Sequence, residues 1–314
     1  MLELPDTDAG MTLTPKLALL LTLPPLMWAG NAVVGRLMVG LVPPLTLNAL
    51  RWAIAALLLL PIAWHVVRDG AAIRRAWVYL LLIGTLGVGA FNALQYLALV
   101  TSTPINVTLI NASMPLWMLL VGAIGFAQRP TRWQLAGALL SFAGVASVLT
   151  RGQWTRLADI AFVPGDALML LATIGWAVYS WLLVRPPPSM RAPLRPDWDW
   201  AAFLLVQIAF GLVGAGGAAV IELTSGTHAP IDFSDARVLA ALAFVAIGPS
   251  LVAYRCWGLG VAQAGPALAA FFVNLSPLFA ALMSATLLGE APQPYHALAF
   301  VLIVAGIAVS ARKS

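Results

Sequence analysis

Long apolar runs, separated by short polar stretches or by Pro and Gly, fill the chain from residue 17 to residue 311. Most runs are close to the roughly 20 apolar residues that a helix needs to cross a bilayer. Because the bilayer core has no water to satisfy backbone groups, the spans are predicted to be helices and the fold class all-α. The Pro and Gly residues between runs are expected to end helices. The ten predicted transmembrane helices are residues 17–38, 45–67, 77–99, 103–126, 133–150, 166–184, 201–222, 237–259, 266–288 and 295–311.

Composition supports a membrane protein rather than a soluble one. Of the 314 residues, 61% are hydrophobic and 9% are charged, and the mean hydropathy is +0.92. Soluble domains carry about 25% charged residues, so this chain has too few to cover a water-facing surface. The lipid bilayer is therefore a predicted partner. The sequence has no basic patch with interleaved aromatic residues, so nucleic acid is not a predicted partner.

Ten spans place both termini on the same side of the membrane. The loops on that side hold eleven Lys and Arg residues, and the opposite loops hold three. Because positively charged loops stay in the cytoplasm, this bias predicts cytoplasmic termini for a multi-pass protein of the bacterial cell inner membrane. The acidic segment 1–15 lacks a basic n-region and is not expected to be a cleaved signal peptide.

The two halves of the chain resemble each other. The pair Trp28-Ala29 recurs 148 residues later as Trp176-Ala177. Three further pairs recur at a separation of 162 residues: Pro104 with Pro266, Pro115 with Pro277, and Gly144 with Gly306. We predict two five-helix repeats, residues 1–150 and 151–314, and because five is odd the second repeat is inverted in the membrane. Inverted repeats are typical of secondary transporters, with the substrate held between the repeats near the midplane.

Several segments of the sequence also resemble a known family, the EamA repeat of the drug/metabolite transporter superfamily. Those segments are 84–99, 111–115, 137–144 and 258–290, the last with the Leu-Gly-Glu ending of the repeat. Gln128-Arg129 stands where the first half should have Gly-Glu, which is a departure. Within the superfamily the chain is most similar to YddG-type exporters of aromatic and other neutral amino acids. This resemblance implies alternating access around a central, aromatic-lined cavity.

Aromatic residues at corresponding positions of the two halves are candidates for that cavity. Trp28 and Asn31 share one face of the first predicted helix, and Trp176 and Tyr179 share one face of the sixth. Aromatic walls bind an aromatic substrate by ring contacts and an amino group by cation–π attraction. The alternatives are ordinary packing or an aromatic belt at the membrane interface.

Prolines within two spans are predicted to kink the helices or to serve in gating. Pro115 and Pro277 lack the N–H that would bond the carbonyl one turn earlier, which for Pro115 is the carbonyl of Asn111. Such carbonyls can accept a substrate ammonium group, or neighbouring polar side chains can satisfy them. We include Asn111, Trp117 and Asn274 among the candidate substrate-binding residues.

Further polar residues within spans complete the candidate site. Gln95 and Tyr96 on the third span and Tyr254 on the eighth are expected to bridge helices or contact substrate. Arg51 and Arg255 are the charged residues well inside spans. Both are expected to extend their charge toward the membrane surface, with carboxylate binding as the alternative.

The sequence does not support metal or catalytic chemistry. The single cysteine, Cys256, excludes an intrachain disulfide and a multi-cysteine metal site. There is no H-E-x-x-H motif, no phosphate-binding loop and no plausible Ser-His-Asp set. We predict no metal, no cofactor and no enzyme activity, with an intramembrane enzyme as the alternative from another class.

The predicted function is export of small organic molecules, most specifically aromatic and other neutral amino acids. The alternatives are another metabolite or a lipophilic drug carried on the same fold, or a channel. All twelve Asp and Glu residues lie in the tail, in loops or at helix ends. Because proton-driven carriers commonly use an acidic residue inside a span, we predict transport without obligatory proton coupling. The sequence leaves the oligomeric state open.

Overall fold

The computed structural model of the chain describes residues 13–102, 104–158, 162–225, 230–288 and 293–312. Its regular structure is helical, and no strand occurs within these ranges. The predicted all-α class is confirmed. In chain order the α-helices are α1 (Pro15–Leu37), α2 (Pro44–Ala63), α3 (Gly70–Arg75), α4 (Trp77–Gly84), α5 (Phe91–Thr101), α6 (Pro104–Ala112), α7 (Met114–Phe126), α8 (Arg132–Leu149), α9 (Pro164–Val184), α10 (Trp200–Thr224), α11 (Ala236–Val245), α12 (Ala253–Val273), α13 (Ser276–Leu288) and α14 (Pro294–Ser310).

Several helices are apolar and long enough to cross a membrane, so the chain is a multi-pass membrane protein. Within the described ranges seven helices meet this standard, or eight if the bent pair α6 and α7 forms one span. The predicted number of ten is not reached on this measure. One reason is that the eighth predicted span and the first residues of the ninth form a single helical run of 38 residues, Ala236–Val273. Gly265 inside that run has a non-helical backbone, with φ 73°.

Proline acts at the start of helices more than at their ends. Because its fixed φ suits the first turn and its missing N–H is not needed there, proline is favoured at the first helical position. The sequence predicts that turn prolines end helices, whereas the structure places several of them at the first residue of the following helix. Five helices begin in this way, at Pro15, Pro44, Pro104, Pro164 and Pro294.

Two spans contain a π-helical segment at corresponding positions of the two halves. The first π turn, Thr85–Ala90, joins α4 to α5, and the second π turn, Ala246–Val252, joins α11 to α12. Two other spans are broken. Between α6 and α7 the chain bends by 44° at Ser113. Between α12 and α13 the helix is interrupted at residues 274–275.

Helix α2 packs along α10, and a carboxylate fixes each end of this pair. Near the end of α10, Glu222 accepts hydrogen bonds from the backbone N–H groups of Leu45 and Thr46 at the start of α2, at 3.1 and 2.7 Å. Just beyond α2, Asp69 accepts a hydrogen bond from the indole of Trp198, which precedes α10, at 3.1 Å. These two features are called the Glu222 contact and the Asp69 contact below.

Helix α8 packs closely against α14 through small residues. A Cβ atom added to Gly137 would lie 2.5 Å from the backbone oxygen of Gly306. Glycine is therefore required for this approach, as in other membrane helix pairs. The glycines that recur between the halves accordingly have a packing role.

Candidate functional site

Aromatic rings from both halves of the chain meet in the interior. The rings of Trp28 and Trp176 lie edge to face with centroids 5.3 Å apart, and the ring of Tyr254 lies 5.7 Å from that of Trp176. Such edge-to-face pairs are the favoured geometry because the ring edge is positive and the ring face negative. We call this cluster the aromatic centre; it comprises Trp28, Trp52, Phe91, Trp176, Tyr179, Tyr254 and Trp257.

The two π turns hold rings of the aromatic centre in place. A π turn interrupts the regular α-helical ladder and is common at functional sites. The hydroxyl of Tyr254 donates to the backbone oxygen of Gly87 in the first π turn. The indole N–H of Trp28 donates to the backbone oxygen of Pro249 in the second, at 3.3 Å. Each π turn therefore positions a ring that belongs to another helix.

The sequence explains the second π turn locally. Pro249 has no N–H, so it cannot bond the carbonyl of Val245 one turn earlier. The hydroxyl of Ser250 donates to that carbonyl instead, at 2.8 Å. A proline followed by serine thus opens the helix while leaving the freed carbonyl satisfied. The first π turn is glycine-rich, with Gly87 and Gly89 both buried.

A buried arginine adjoins the aromatic centre. Arg51 is 2% exposed. Its Nε donates to the hydroxyl of Ser250 at 3.0 Å, and its Nη1 donates to the amide oxygen of Asn31 at 3.2 Å. The expectation that Arg51 extends toward the membrane surface is therefore wrong, because polar groups of α1 and the second π turn bind its guanidinium in the interior. Arg255 differs: it is partly exposed and its guanidinium lies over the ring of Trp200 at 5.1 Å.

A second polar pair lies at the corresponding place in the other half. Tyr179, 148 residues after Asn31, donates its hydroxyl to the amide oxygen of Gln207 at 3.1 Å. Arg51 and Gln207 are each the eighth residue of their helices, α2 and α10. The pairs Asn31–Arg51 and Tyr179–Gln207 are thus equivalent in position, but only the first carries a charge. We call them the charged arm and the neutral arm.

The predicted residues at the broken helices lie in two separate environments. Asn274 is buried between α12 and α13, and its amide donates to the backbone oxygen of Ala112 at 3.3 Å. The break in one half is therefore hydrogen-bonded to the break in the other. The Oδ1 atom of Asn111 is buried and has no hydrogen-bond partner among the described residues. Pro115 and Pro277 are the second residues of α7 and α13, directly after the two breaks.

Trp117 lies apart from the aromatic centre, beside a cavity of about 330 Å³. Its indole donates to the hydroxyl of Ser113 at 3.0 Å. Leu116 and Leu120, also in the lining, are 36% and 46% exposed, so the cavity faces the outside of the helix bundle. The lining residues are Leu109, Ile110, Ser113, Leu116, Trp117, Leu120, Phe142 and Leu170.

The remaining predicted residues lie on α5. Gln95 is partly buried and follows Phe91 by one helical turn, so both share a face. The ring of Phe91 contacts Trp176 at 5.3 Å. The backbone of Tyr96 is helical, but its side chain lies outside the described part of the structure.

Sequence reasoning missed several residues that the structure places in or beside the aromatic centre. Gln207 is an amide in the middle of the apolar helix α10, and an unexplained amide within a span was an available signal. Ser250 directly follows a proline within a span, which was a second signal. No local pattern marked the contact of Trp52 with Tyr254, at 4.8 Å, because it depends on how α2 and α12 pack.

Charges outside the helices lie in the polar loops. Asp235 ends the loop before α11, and the guanidinium of Arg237, the second residue of α11, lies 2.6 Å from its carboxylate and holds the pKa of that carboxyl below its usual value. In the same loop, hydrogen bonds from Ser234 lower the pKa of the Asp232 carboxyl. No group of three or more His, Cys, Asp or Glu residues able to hold a metal occurs in the part of the chain that the structure describes.

The fold and the buried site define a multi-pass membrane protein whose two halves meet at a centre both aromatic and polar. A sequence profile of the EamA-like transporter family matches residues 15–150 and again residues 163–312. The chain therefore belongs to the EamA-like transporter family. It is a transporter of small molecules and not an enzyme.

Individual relatives agree with this assignment. An uncharacterized transporter of Archaeoglobus fulgidus is 29% identical over 95% of this chain and 98% of its own length. The aromatic amino acid exporter YddG of Ancylobacter novellus is 26% identical over 86% of this chain and 88% of its own. A solved crystal structure with 25% identity matches 94% of this chain and 96% of that one with a TM-score of 0.70.

Proposed function

We propose that the protein exports aromatic and other neutral amino acids by alternating access around the aromatic centre. The observation that carries this proposal is the edge-to-face contact of Trp28 with Trp176, which brings rings from the two halves together in the interior. A planar side chain can take the place of such ring contacts, and ring faces attract an ammonium group. Similarity to an aromatic amino acid exporter supports the same substrate class.

A counterflow screen of the twenty amino acids in proteoliposomes tests the substrate class. Vesicles loaded with one unlabelled amino acid should accumulate labelled L-tryptophan only when the internal amino acid is a substrate. We expect Trp, Phe and Tyr to drive accumulation most strongly, other neutral residues less, and charged residues least. Saturable uptake with counterflow excludes a channel. Absence of counterflow with all twenty amino acids would overturn the proposal.

The proposed architecture is ten spans in two inverted five-helix repeats, residues 1–150 and 151–314, with cytoplasmic termini in the bacterial inner membrane. The run Ala236–Val273 has 38 residues, and at about 1.5 Å per residue this is roughly twice the ~30 Å hydrocarbon core. A division at Gly265 would leave residues 236–264 as the eighth span, and residues 266–273 followed by α13 as the ninth. The paired π turns and paired helix breaks further support the repeat.

Single cysteines at Ser189 and Ser225, in a Cys256→Ala background, test this topology. Ser189 lies between α9 and α10, and Ser225 directly follows α10. We expect a membrane-impermeant thiol reagent to label the two positions from opposite sides, with Ser189 facing the cytoplasm. Labelling of both from one side would contradict the inverted repeat.

We further propose that transport follows the substrate gradient without obligatory proton coupling. Asp166 is buried at the start of α9, and hydrogen bonds from Ser102, Asn106 and the backbone of Val163 give its carboxylate a structural role. Glu222 has a comparable role in the Glu222 contact. Glu290, the carboxylate of the Leu-Gly-Glu ending, lies outside the described residues.

Flux measurements separate this mechanism from proton coupling. Proteoliposomes with a substrate gradient, and neither a pH gradient nor a membrane potential, should show net substrate flux. A strict requirement for an imposed proton gradient, or movement of one proton with each substrate, would overturn the mechanism while leaving the substrate class intact.

One observation favours a second candidate, transport of a lipophilic compound. The 330 Å³ cavity beside Trp117 is lined almost wholly by apolar side chains and faces the outside of the bundle. A hydrophobic molecule could enter it from the bilayer. Competition of labelled tryptophan transport by a panel of lipophilic cations distinguishes the two, since the amino acid proposal expects little competition.

A further inference from the structure

One face of α2 carries a buried polar stripe. Asn48, Arg51 and Trp52 are spaced i, i+3 and i+4, so their side chains lie on the same side of the helix. They are 1%, 2% and 0% exposed. Both polar atoms of the Asn48 amide and the indole N–H of Trp52 have no hydrogen-bond partner among the described residues. Because buried polar groups are nearly always hydrogen-bonded, this stripe has the character of a ligand-binding surface.

Arg51 is the charged group of this stripe and contacts the aromatic centre through the ring of Trp52. Its guanidinium carbon is 4.9 Å from the centroid of the Trp52 ring, and that ring is 4.8 Å from the ring of Tyr254. Two of its hydrogen bonds, to Ser250 and Asn31, end on neutral oxygens. A carboxylate can bind a guanidinium through two parallel N–H···O hydrogen bonds, which adds geometric specificity as well as energy.

We infer that Arg51 recognises the carboxylate of the transported molecule, an inference that rests on the proposed export of amino acids. In the inferred complex the substrate carboxylate displaces one of the oxygens of Ser250 and Asn31 and bonds two adjacent N–H groups of the guanidinium. The planar fork of arginine matches a carboxylate in a way that lysine does not. The indole N–H of Trp52 and the amide of Asn48 provide further hydrogen bonds along the same face.

The neutral arm indicates how the substrate is oriented in the site. Gln207 and Tyr179 occupy the equivalent place in the other half without a charge. A zwitterion with one aromatic end would therefore bind with its carboxylate toward the charged arm and its ring in the aromatic centre. The carboxylate is then required for recognition, and the ammonium group contributes less because ring faces attract it without a specific partner.

Competition with four compounds tests the role of the carboxylate. In proteoliposomes of the unmodified protein, uptake of labelled L-tryptophan is measured against unlabelled L-tryptophan, L-tryptophanamide, tryptamine and indole-3-acetate. We expect the two carboxylates to compete about 10- to 100-fold better than the two compounds without one, the range expected for losing hydrogen bonds to a charged group. Equal competition by L-tryptophanamide would overturn the inference and leave amino acid export standing.

Variants assign the effect to Arg51. Arg51→Gln makes the charged arm resemble the neutral arm. In this variant L-tryptophan and L-tryptophanamide should compete almost equally well, so the ratio of their competing strengths should fall to nearly 1. Arg51→Lys should restore part of the ratio. The matched control, Gln207→Ala, should lower transport rates but keep the ratio. An Arg51→Gln protein that is folded and keeps the original ratio would overturn the inference.

Each remaining outcome is also decisive. If Arg51→Gln does not fold, the inference is tested by Arg51→Lys and by the four compounds on the unmodified protein. A ratio of competing strengths in Arg51→Lys as large as in the unmodified protein would contradict the need for the guanidinium fork. A further outcome separates the inference from the proposed function. If counterflow shows no amino acid transport, the proposed function is wrong. If indole-3-acetate then stabilises the protein against heat and tryptamine does not, carboxylate recognition is still supported.

Discussion

The two halves of the molecule repeat the irregularities of the backbone but build them from different residues. The first π turn is glycine-rich, whereas the second contains Pro249 and Ser250. Both turns present a backbone oxygen to a ring, that of Gly87 to Tyr254 and that of Pro249 to Trp28. The two halves therefore share the position of these backbone carbonyls, although the residues that form the two π turns differ.

The side chains of the two halves differ in charge where the backbones agree. Arg51 in one half corresponds to Gln207 in the other. In the inferred binding mode, the single charged arm fixes the orientation of the substrate, because a substrate with one carboxylate binds with that group toward Arg51. Under the proposed mechanism, the repeated backbone supplies the moving parts, and residues that differ between the halves supply specificity.

The largest effect is expected from truncating the rings of the aromatic centre. Trp176 is buried and contacts the rings of Phe91 and Trp257 as well as that of Trp28, whereas Trp28 is partly exposed. Trp176→Ala should abolish tryptophan counterflow and cost about 3–5 kcal/mol of stability. Trp28→Ala should reduce counterflow by at least about tenfold, because it removes the ring contacts with Trp176, Tyr254 and Trp257 as well as packing.

Counterflow rates and thermal unfolding in detergent check this pair. Trp77→Ala is the matched control, because Trp77 is 54% exposed and should change neither measurement appreciably. If Trp28→Ala transports at the parental rate, that ring serves packing alone and the cavity lies elsewhere.

The sequence predicts some contacts of this site better than others, and the difference depends on how far apart the contacting residues lie in the sequence. Apolar runs and turn prolines predict the helices to within a few residues, as for 166–184 against Pro164–Val184. The internal repeat pairs Trp28 with Trp176, whose rings lie 5.3 Å apart. The contact of Arg51 with Ser250 spans 199 positions in the sequence and depends on a π turn that leaves no periodic signal. Specific polar contacts of this kind need the tertiary structure.

The two asparagines at the helix breaks should differ in what they contribute. Asn274→Ala removes the donor to the Ala112 oxygen and leaves that buried carbonyl unsatisfied, which should cost about 1–3 kcal/mol. Asn111→Ala should cost little stability, because the Oδ1 atom of Asn111 has no partner among the described residues. Thermal unfolding in detergent ranks the two variants. A loss of transport in Asn111→Ala without a loss of stability would identify Asn111 as a substrate contact, and equal destabilisation would contradict the comparison.

The two carboxylates at the ends of the α2–α10 pair should also differ. Glu222 accepts two backbone N–H groups and the hydroxyl of Thr46 at the start of α2, where the helix dipole favours negative charge. Glu222→Gln should therefore cost about 1–2 kcal/mol, as for losing a strong N-cap. Asp69→Asn should cost less, since the amide oxygen can still accept from Ala72 and only the hydrogen bond from Trp198 is lost. A larger fall in melting temperature for Asp69→Asn than for Glu222→Gln would reverse this ranking.

The smallest effects should come from single hydroxyl groups at the two π turns, and here the comparison is most direct. Tyr254→Phe keeps the ring but removes the hydrogen bond to the Gly87 oxygen, which should cost about 0.5–1.5 kcal/mol. Ser250→Ala removes two hydrogen bonds, one given to Val245 and one received from Arg51, so it should lower the melting temperature more. It should also raise the KM for L-tryptophan, because Arg51 loses a group that holds its guanidinium in place. Ser147→Ala is the control, since the buried hydroxyl of Ser147 has no hydrogen-bond partner in the described ranges. If Ser250→Ala melts at the same temperature as Tyr254→Phe and keeps the parental KM, the hydroxyl of Ser250 does not support the second π turn. The two π turns would then be stabilised in different ways despite their shared geometry.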